Sequence, residues 1–231
     1  MMLLSNIQDG ADLVTDSEST EKTLSIIELI SSGGTAGQVI IALLFVLLIA
    51  AIYIYFERLF AIKAASNVDS NFMNQIKDHV SNGKIDSAQT LCAQVNTPVS
   101  RLISKGMTRI GKPLEDINTA IENAGRLELY GLEKNVSVLA TISSIAPMIG
   151  FLGTVIGMIL SIFEIANSGG QIDIKQLSDG LYTAMTTTVA GLIVGIVAYT
   201  AYNHLVVRTD KVVYQMESNS LEFLDHLNEP I

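Results

Sequence analysis

The sequence predicts an all-α integral membrane protein with three transmembrane helices and long helices that extend into a helical bundle outside the membrane. Its 231 residues are 49% hydrophobic and only 16% charged, which is more apolar than a soluble domain of this size. A bilayer core about 30 Å thick requires roughly 20 consecutive apolar helical residues. Three segments meet that requirement, and we place the transmembrane helices at 37–56, 142–165 and 180–202.

Each span is nearly free of charge. The first contains no charged residue, the second contains only Glu164 near its end, and the third has no ionisable side chain except tyrosine. The alternative, three buried helices of a large soluble core, is disfavoured because the rest of the chain is too short to cover them.

Lysine and arginine set the expected orientation, because cytoplasmic loops hold them in excess. Ten of the fourteen lie between residues 57 and 135, in the loop that joins the first two spans. This predicts a periplasmic N-terminus and a cytoplasmic C-terminus. We expect Glu57, Arg58 and Glu164 to be charges at the membrane interface. The remaining segments are a periplasmic tail with a short amphipathic helix (1–36), a cytoplasmic helical region (57–141), a short periplasmic loop (166–179) and a cytoplasmic C-terminal helix (203–231).

Turn residues divide the cytoplasmic region into helices. Asn82-Gly83 predicts a turn, Thr97-Pro98 a helix start, and Gly111 a further break before Pro113. No strong stop follows Pro113, so we expect one helix to run from there into the second span. Such a helix leaves the bilayer and needs neighbours, which predicts bundling in the cytoplasm.

Small residues recur at spacings of three and four along the second and third spans. Helices in lipid associate through close backbone packing, which small residues permit. We expect contacts between spans two and three and also between copies, because a three-helix chain has too little surface to use every small residue on itself. Tight packing within one monomer is the alternative for about half of them. The helix-packing residues are Pro147, Gly150, Gly153, Gly157, Ser161, Gly191 and Gly195.

Threonines form a second pattern in the same spans. Thr154 lies near the middle of span two, and Thr188 lies at a similar depth in the antiparallel span three. A threonine in a membrane helix often only donates to its own i−4 carbonyl, which is the plainer interpretation of each one. Repeated around a symmetric oligomer, however, Thr154 and the neighbouring Thr183, Thr186, Thr187 and Thr188 would line a polar axis.

Several classes of function are disfavoured. The net charge of −9 argues against nucleic-acid binding, and the single Cys92 allows neither an internal disulfide nor a thiolate metal cluster. The sequence has no hydrolase or phosphate-loop motif, and its three histidines are scattered. We therefore expect no enzyme activity, no cofactor and no metal.

Two strings carry a family resemblance: "EKNVSVLATISSIAPMIGFLGTVIGMILSIFEI" and "GLYTAMTTTVAGLIVGIVAYTAYNHL". They resemble the MotA/TolQ/ExbB proton-channel family, most of all its ExbB members of Bacteroidetes type, over residues 130–207, with a weaker match at "YFERL". The resemblance implies a homopentamer in the bacterial inner membrane that encloses the helices of an ExbD-type single-span partner. It implies that proton-motive force is converted into motion, which a TonB-type protein delivers to outer-membrane transporters.

The resemblance also implies that Thr154 and Thr188 face the pore, and it aligns a common glutamate of the family with Thr183. We expect Thr183 near a wet outer mouth, and we add Thr187 to the candidate ion pathway. Intramembrane acids usually mark proton relays, and this chain has none in the middle of its spans, so a partner must supply the carboxylate. A TolQ-like subunit, a gliding-motor stator subunit and a non-transducing scaffold remain alternatives.

Overall fold

A computed structural model describes residues 35–67, 69, 71–167 and 174–228. Within these residues the chain is helical and contains no strand. The expected N-terminal amphipathic helix lies outside the described residues, as do residues 168–173 of the expected periplasmic loop. The helices are α1 Thr35–Ala65, α2 Phe72–Ser81, α3 Ile85–Val95, α4 Pro98–Met107, α5 Leu114–Glu133, α6 Val136–Asn167 and α7 Ile174–Asn228.

Three of these helices are long and apolar enough to cross a membrane, as predicted for three transmembrane helices, whose exact bounds stay a prediction. They contain the segments Ala36–Ala65, Val136–Asn167 and Leu177–Asn228. The third is longest: α7 has 55 residues and extends about 80 Å at 1.5 Å per residue. The expected third span and the expected C-terminal helix are therefore parts of one helix, because no glycine or proline interrupts residues 203–228.

The prediction that one helix runs from Pro113 into the second span was wrong. The helix breaks between α5 and α6, where Lys134 is extended and Asn135 has a φ of 63°. Asparagine enters this left-handed region more readily than most residues. The break also leaves carbonyl groups free at the end of α5, and the Arg58 guanidinium of α1 donates to one of them, the Gly131 oxygen, at 3.3 Å.

The predicted turns between the helices of the 57–141 region are confirmed. Gly83 and Gly111 have positive φ angles of 70° and 90°. Thr97 caps α4 through a reciprocal pair of hydrogen bonds with Ser100, and Pro98 occupies the first helical turn.

The helices outside the spans pack around the second half of α7. Ile103 of α4, Ile121 of α5 and Phe223 of α7 are all buried, and Ile121 and Phe223 meet at Gly106, where a side chain would find no room. In the other half of the molecule, α6 and α7 lie side by side and α1 packs against both. In this arrangement α6 and α7 contact each other along their membrane spans.

Candidate functional site at the interface of α6 and α7

Glycines bring the backbones of α6 and α7 into direct contact. A Cβ atom placed on Gly150 would lie 2.8 Å from the Thr187 carbonyl oxygen and 3.1 Å from the Gly191 Cα. A Cβ on Gly191 would lie 2.6 Å from the Ala146 carbonyl oxygen. Because these neighbours are backbone atoms, they cannot move aside for a larger residue.

The other small residues continue this contact along both helices. Gly157 faces Ala184, Gly195 faces the Pro147 ring, Gly153 faces Thr187, and Ser161 faces Gly180. Every predicted helix-packing residue is therefore used within one chain. The expectation that the chain has too little surface for all of them was wrong, since the two stripes run opposite each other over the whole contact.

Pro147 is accommodated inside α6 by the missing side chain of Gly195. Proline has no N–H, so the Ser143 carbonyl loses its usual i+4 donor. That carbonyl oxygen and the proline ring both border Gly195, at 3.2 and 2.7 Å from a Cβ placed there. The close approach of α7 thus covers a weak point in the hydrogen bonding of α6.

Threonine hydroxyls gather at the Gly150 carbonyl. Its oxygen lies 3.2 Å from the Thr188 hydroxyl, 3.3 Å from that of Thr187 and 3.4 Å from that of Thr154. The Ala184 carbonyl accepts from Thr154 at 3.1 Å and from Thr187 at 2.8 Å. The Thr154 and Thr188 hydroxyls also contact each other, in keeping with their expected common depth.

This cluster offers more acceptors than protons. The Thr154 hydroxyl has one proton and three acceptors within reach, namely the carbonyls of Gly150 and Ala184 and the Thr188 oxygen. Rotation of the hydroxyl changes which acceptor receives the proton. Its lone pairs remain available to accept from a further donor.

Thr187 and Thr183 occupy more enclosed positions than Thr154 and Thr188. The Thr187 side chain is fully buried against Gly153. Thr183 is only 9% exposed, its hydroxyl donates to the Asp179 carbonyl at 2.8 Å, and its methyl group faces Gly37 of α1. We expected Thr183 near a wet outer mouth. The structure instead shows that α1 covers this side chain.

Charged and polar groups mark the two ends of the spans. In α1, just past the expected end of the first span, Glu57 and Arg58 form an ion pair. Nearby, Tyr55 and His204 share a hydrogen bond of 2.9 Å, and Arg208 donates to the other ring nitrogen of His204 at 3.0 Å. Glu164 lies exposed near the opposite end of α6. The Tyr55–His204 contact joins α1 to α7.

Sequence reasoning found the threonines but missed their common acceptor. The backbone carbonyls of Gly150 and Ala184 carry no sequence signal of their own. The contact of Gly37 with Thr183 and the Tyr55–His204 bond were also missed, because each joins residues more than 140 positions apart. A helical wheel of one span cannot reveal such pairs.

Cys92 lies in α3, outside the spans, and its side chain is buried. Burial raises the pKa of this thiol to about 12, so it stays protonated at neutral pH. On the adjoining helix α4, the pKa of Arg101 is raised by its hydrogen bonds to Glu128, which fix α4 to α5.

Comparison with known proteins places the chain in a family. The MotA/TolQ/ExbB proton channel family matches residues 94–218, which is more than half of the chain. A putative biopolymer transport protein ExbB homolog of Methanothermobacter thermautotrophicus is 26% identical over 84% of this chain and 67% of its own length. The Tol-Pal system protein TolQ of Haemophilus influenzae is 29% identical over 82% of this chain and 87% of its own. The biopolymer transport protein ExbB of Aquifex aeolicus is 41% identical over 32% of this chain and half of its own.

Proposed function

Because the chain belongs to the MotA/TolQ/ExbB proton channel family, whose members are membrane proteins and not enzymes, we propose that it is an inner-membrane stator subunit of an ExbB-type motor. With an ExbD-type single-span partner it harnesses proton-motive force, and a TonB-type protein passes the resulting motion to outer-membrane transporters.

The observation that carries this proposal is the contact between the Thr154 and Thr188 hydroxyls at the meeting of α6 and α7. These two side chains are only half-buried, whereas Thr187 beside them is fully enclosed. Their partial exposure leaves them accessible to a group outside the chain. An apolar surface that presents two rotatable hydroxyls can form hydrogen bonds with a proton carrier that moves past it.

The proton carrier itself comes from the partner. The only carboxylates in α6 and in the apolar half of α7 are Glu164 and Asp179, both near the helix ends. A carboxyl group on a partner helix exchanges its proton while Thr154 and Thr188 donate to its ionised form and accept from its neutral form. This chain thereby supplies the walls of the pathway.

Assembly follows from the same role. Five copies form a ring around the partner helices, with the N-terminus in the periplasm and the C-terminus in the cytoplasm. The lysine and arginine bias supports the orientation. The broad apolar faces that α1, α6 and α7 leave exposed support contact with lipid and with other membrane helices.

A TolQ-like role is the second candidate, because the similarity to the Haemophilus influenzae TolQ extends over most of both chains. The two roles differ in the single-span partner. Mass spectrometry of the partner that co-purifies with the native chain separates them, since an ExbD-type partner supports the first role and a TolR-type partner the second.

Transport assays of valine variants test the pathway. Valine keeps the shape of threonine but removes the hydroxyl, so Thr154→Val and Thr188→Val should leave assembly intact and reduce energised siderophore or cobalamin uptake at least tenfold. Thr200→Val is the matched control, because the exposed Thr200 hydroxyl only donates to the Ile196 carbonyl of its own helix. Normal uptake by both Thr154→Val and Thr188→Val would favour the scaffold alternative.

A further inference from the structure

A polar cavity of about 530 Å³ lies where α5 ends and α6 begins, beside α7. The residues that carry charge or a hydroxyl group in its lining include Glu133, Lys134, Ser137, Tyr202, Thr209 and Asp210. The cavity belongs to the break at Asn135, because residues on both sides of that break line it. Its volume is in the range of pockets that hold a small ligand.

The cavity lies at the expected depth of the lipid headgroups. Ser137 is five residues before the expected start of the second span, and Thr209 is seven residues past the expected end of the third, which corresponds to about 8 Å and about 10 Å. Polar headgroups occupy a layer of roughly 5–8 Å on each side of the hydrocarbon core. Tyr202, at the expected end of the third span, is the lining residue nearest the core. A lipid headgroup is therefore available at this height.

The Thr209 hydroxyl is buried without a hydrogen-bond partner. This residue is only 4% exposed, and its Oγ1 forms no hydrogen bond within the part of the chain that the structure describes. Thr186 and Thr200 on the same helix donate to the carbonyl four residues before them, each at 2.9 Å. Thr209 does not make the corresponding bond. An unpaired buried hydroxyl is destabilising, and a ligand in the cavity that Thr209 lines would supply the missing partner.

Charges of both signs border the cavity without neutralising each other. The side chains of Glu133, Lys134 and Asp210 form no ion pair or hydrogen bond with another described residue. Two carboxylates face one ammonium group, so a ligand that carries only negative charge is disfavoured. A cation alone would leave Lys134 without a partner. A zwitterion complements both signs.

We propose that this cavity binds the phosphoethanolamine headgroup of a membrane lipid. The phosphate accepts hydrogen bonds from Lys134, from the Thr209 hydroxyl and from the first turn of α6, where a helix has free N–H groups and a partial positive charge. The ammonium group of the lipid donates to Glu133 and Asp210. This inference goes beyond the proposed function and does not depend on ion transport.

The surface next to the cavity favours a lipid over a soluble zwitterion. Tyr199 lies seven residues before the lining residue Val206, and so on nearly the same face of α7. It is 60% exposed. On α6, Val138 follows the lining residue Ser137 and is 41% exposed. Both side chains lie on the membrane side of the cavity, where the acyl chains of a bound lipid would cover them.

Native mass spectrometry of the purified, delipidated complex tests the site. The complex in detergent is titrated with dioleoyl lipids that carry an ethanolamine, a choline or a glycerol headgroup. The choline lipid keeps both charges but has no N–H to donate, and the glycerol lipid lacks the ammonium group. We expect the ethanolamine lipid to bind roughly fivefold or more tightly than either of the others. Free phosphoethanolamine should compete with it only at much higher concentration.

Charge variants connect the binding to the cavity. Lys134→Gln and Asp210→Asn should each weaken binding of the ethanolamine lipid roughly fivefold or more. Lys211→Gln and Asp225→Asn are the matched controls, because both side chains are exposed on α7 outside the cavity. Thr209→Val should also weaken lipid binding, yet leave the delipidated complex at least as stable, because it removes a buried hydroxyl that lacks a partner.

Three results would overturn the proposal. The first is equal binding of the three lipids. The second is unchanged binding of the ethanolamine lipid by both Lys134→Gln and Asp210→Asn. The third is equal affinity for free phosphoethanolamine and for the lipid, which would exclude the lipid as the source of the headgroup. The measurement needs no proton gradient, so loss of the proposed function would leave its outcome unchanged.

Discussion

At the scale of single residues, Thr183 shows how one contact changes the meaning of a substitution. Its methyl group lies 2.6 Å from the position of a Cβ on Gly37, and its side chain is almost completely covered. A longer side chain must therefore displace α1 from α7. A carboxylate in this position would also lose its hydration without gaining a partner.

We expect Thr183→Val to assemble normally, because valine has nearly the shape of threonine and the lost hydroxyl only donates within its own helix. Thr183→Glu should reduce the yield of correctly assembled protein severalfold. Size-exclusion chromatography of detergent extracts at matched expression measures both. Equal yields would show that α1 leaves room at Thr183, as expected for a side chain near a wet outer mouth.

At the scale of elements, the packing of α6 against α7 depends on atoms that cannot move. Gly150→Ala would force a methyl group to within 2.8 Å of the Thr187 carbonyl oxygen. We expect a loss of about 1–3 kcal/mol, typical of overpacking, and a clear drop in the melting temperature.

Gly131→Ala is the matched control, since a Cβ on Gly131 meets no atom within 4 Å. This change should be neutral or stabilise α5 by up to about 1 kcal/mol, because alanine favours a helix over glycine. Thermal unfolding followed by circular dichroism compares the two variants. A similar melting temperature for both would show that Gly150 is not a tight packing position.

The elements also show what the sequence could and could not predict. The three spans and the turn at Gly83 were predictable, because apolar runs and glycine act locally. The break at Asn135 was missed, since neither Lys134 nor Asn135 is a strong helix breaker. Its support comes from Arg58, which donates to the Gly131 carbonyl 73 positions away. The contact between Thr154 and Thr188 was predictable from their similar depth in the membrane. Their shared acceptor, the Gly150 carbonyl, was not predictable, because it depends on how the two helices are rotated about their axes.

At the scale of the whole molecule, the orientation predicted from charge can be tested by thiol labelling. Native Cys92 is unsuitable, because it is buried and its pKa is raised to about 12 by that burial. Ser87→Cys in a Cys92→Ala background replaces it, since Ser87 is exposed on α3. A membrane-impermeant maleimide should label this variant in inside-out vesicles and not in spheroplasts.

The native protein is the control for that experiment, and we expect it to react slowly in both preparations. Rapid labelling of native Cys92 would contradict its burial. Labelling of Ser87→Cys in spheroplasts alone would reverse the orientation and place the helices of the 57–141 region in the periplasm.

The central claim is that the Thr154–Thr188 pair lines a proton pathway completed by a partner carboxylate. The most direct measurement is proton flux into liposomes that contain the purified complex with its native single-span partner, driven by a potassium diffusion potential. We predict measurable flux for the native complex and for Thr200→Val, and flux at least tenfold lower for Thr154→Val in an equally assembled complex. Undiminished flux through Thr154→Val would contradict the claim.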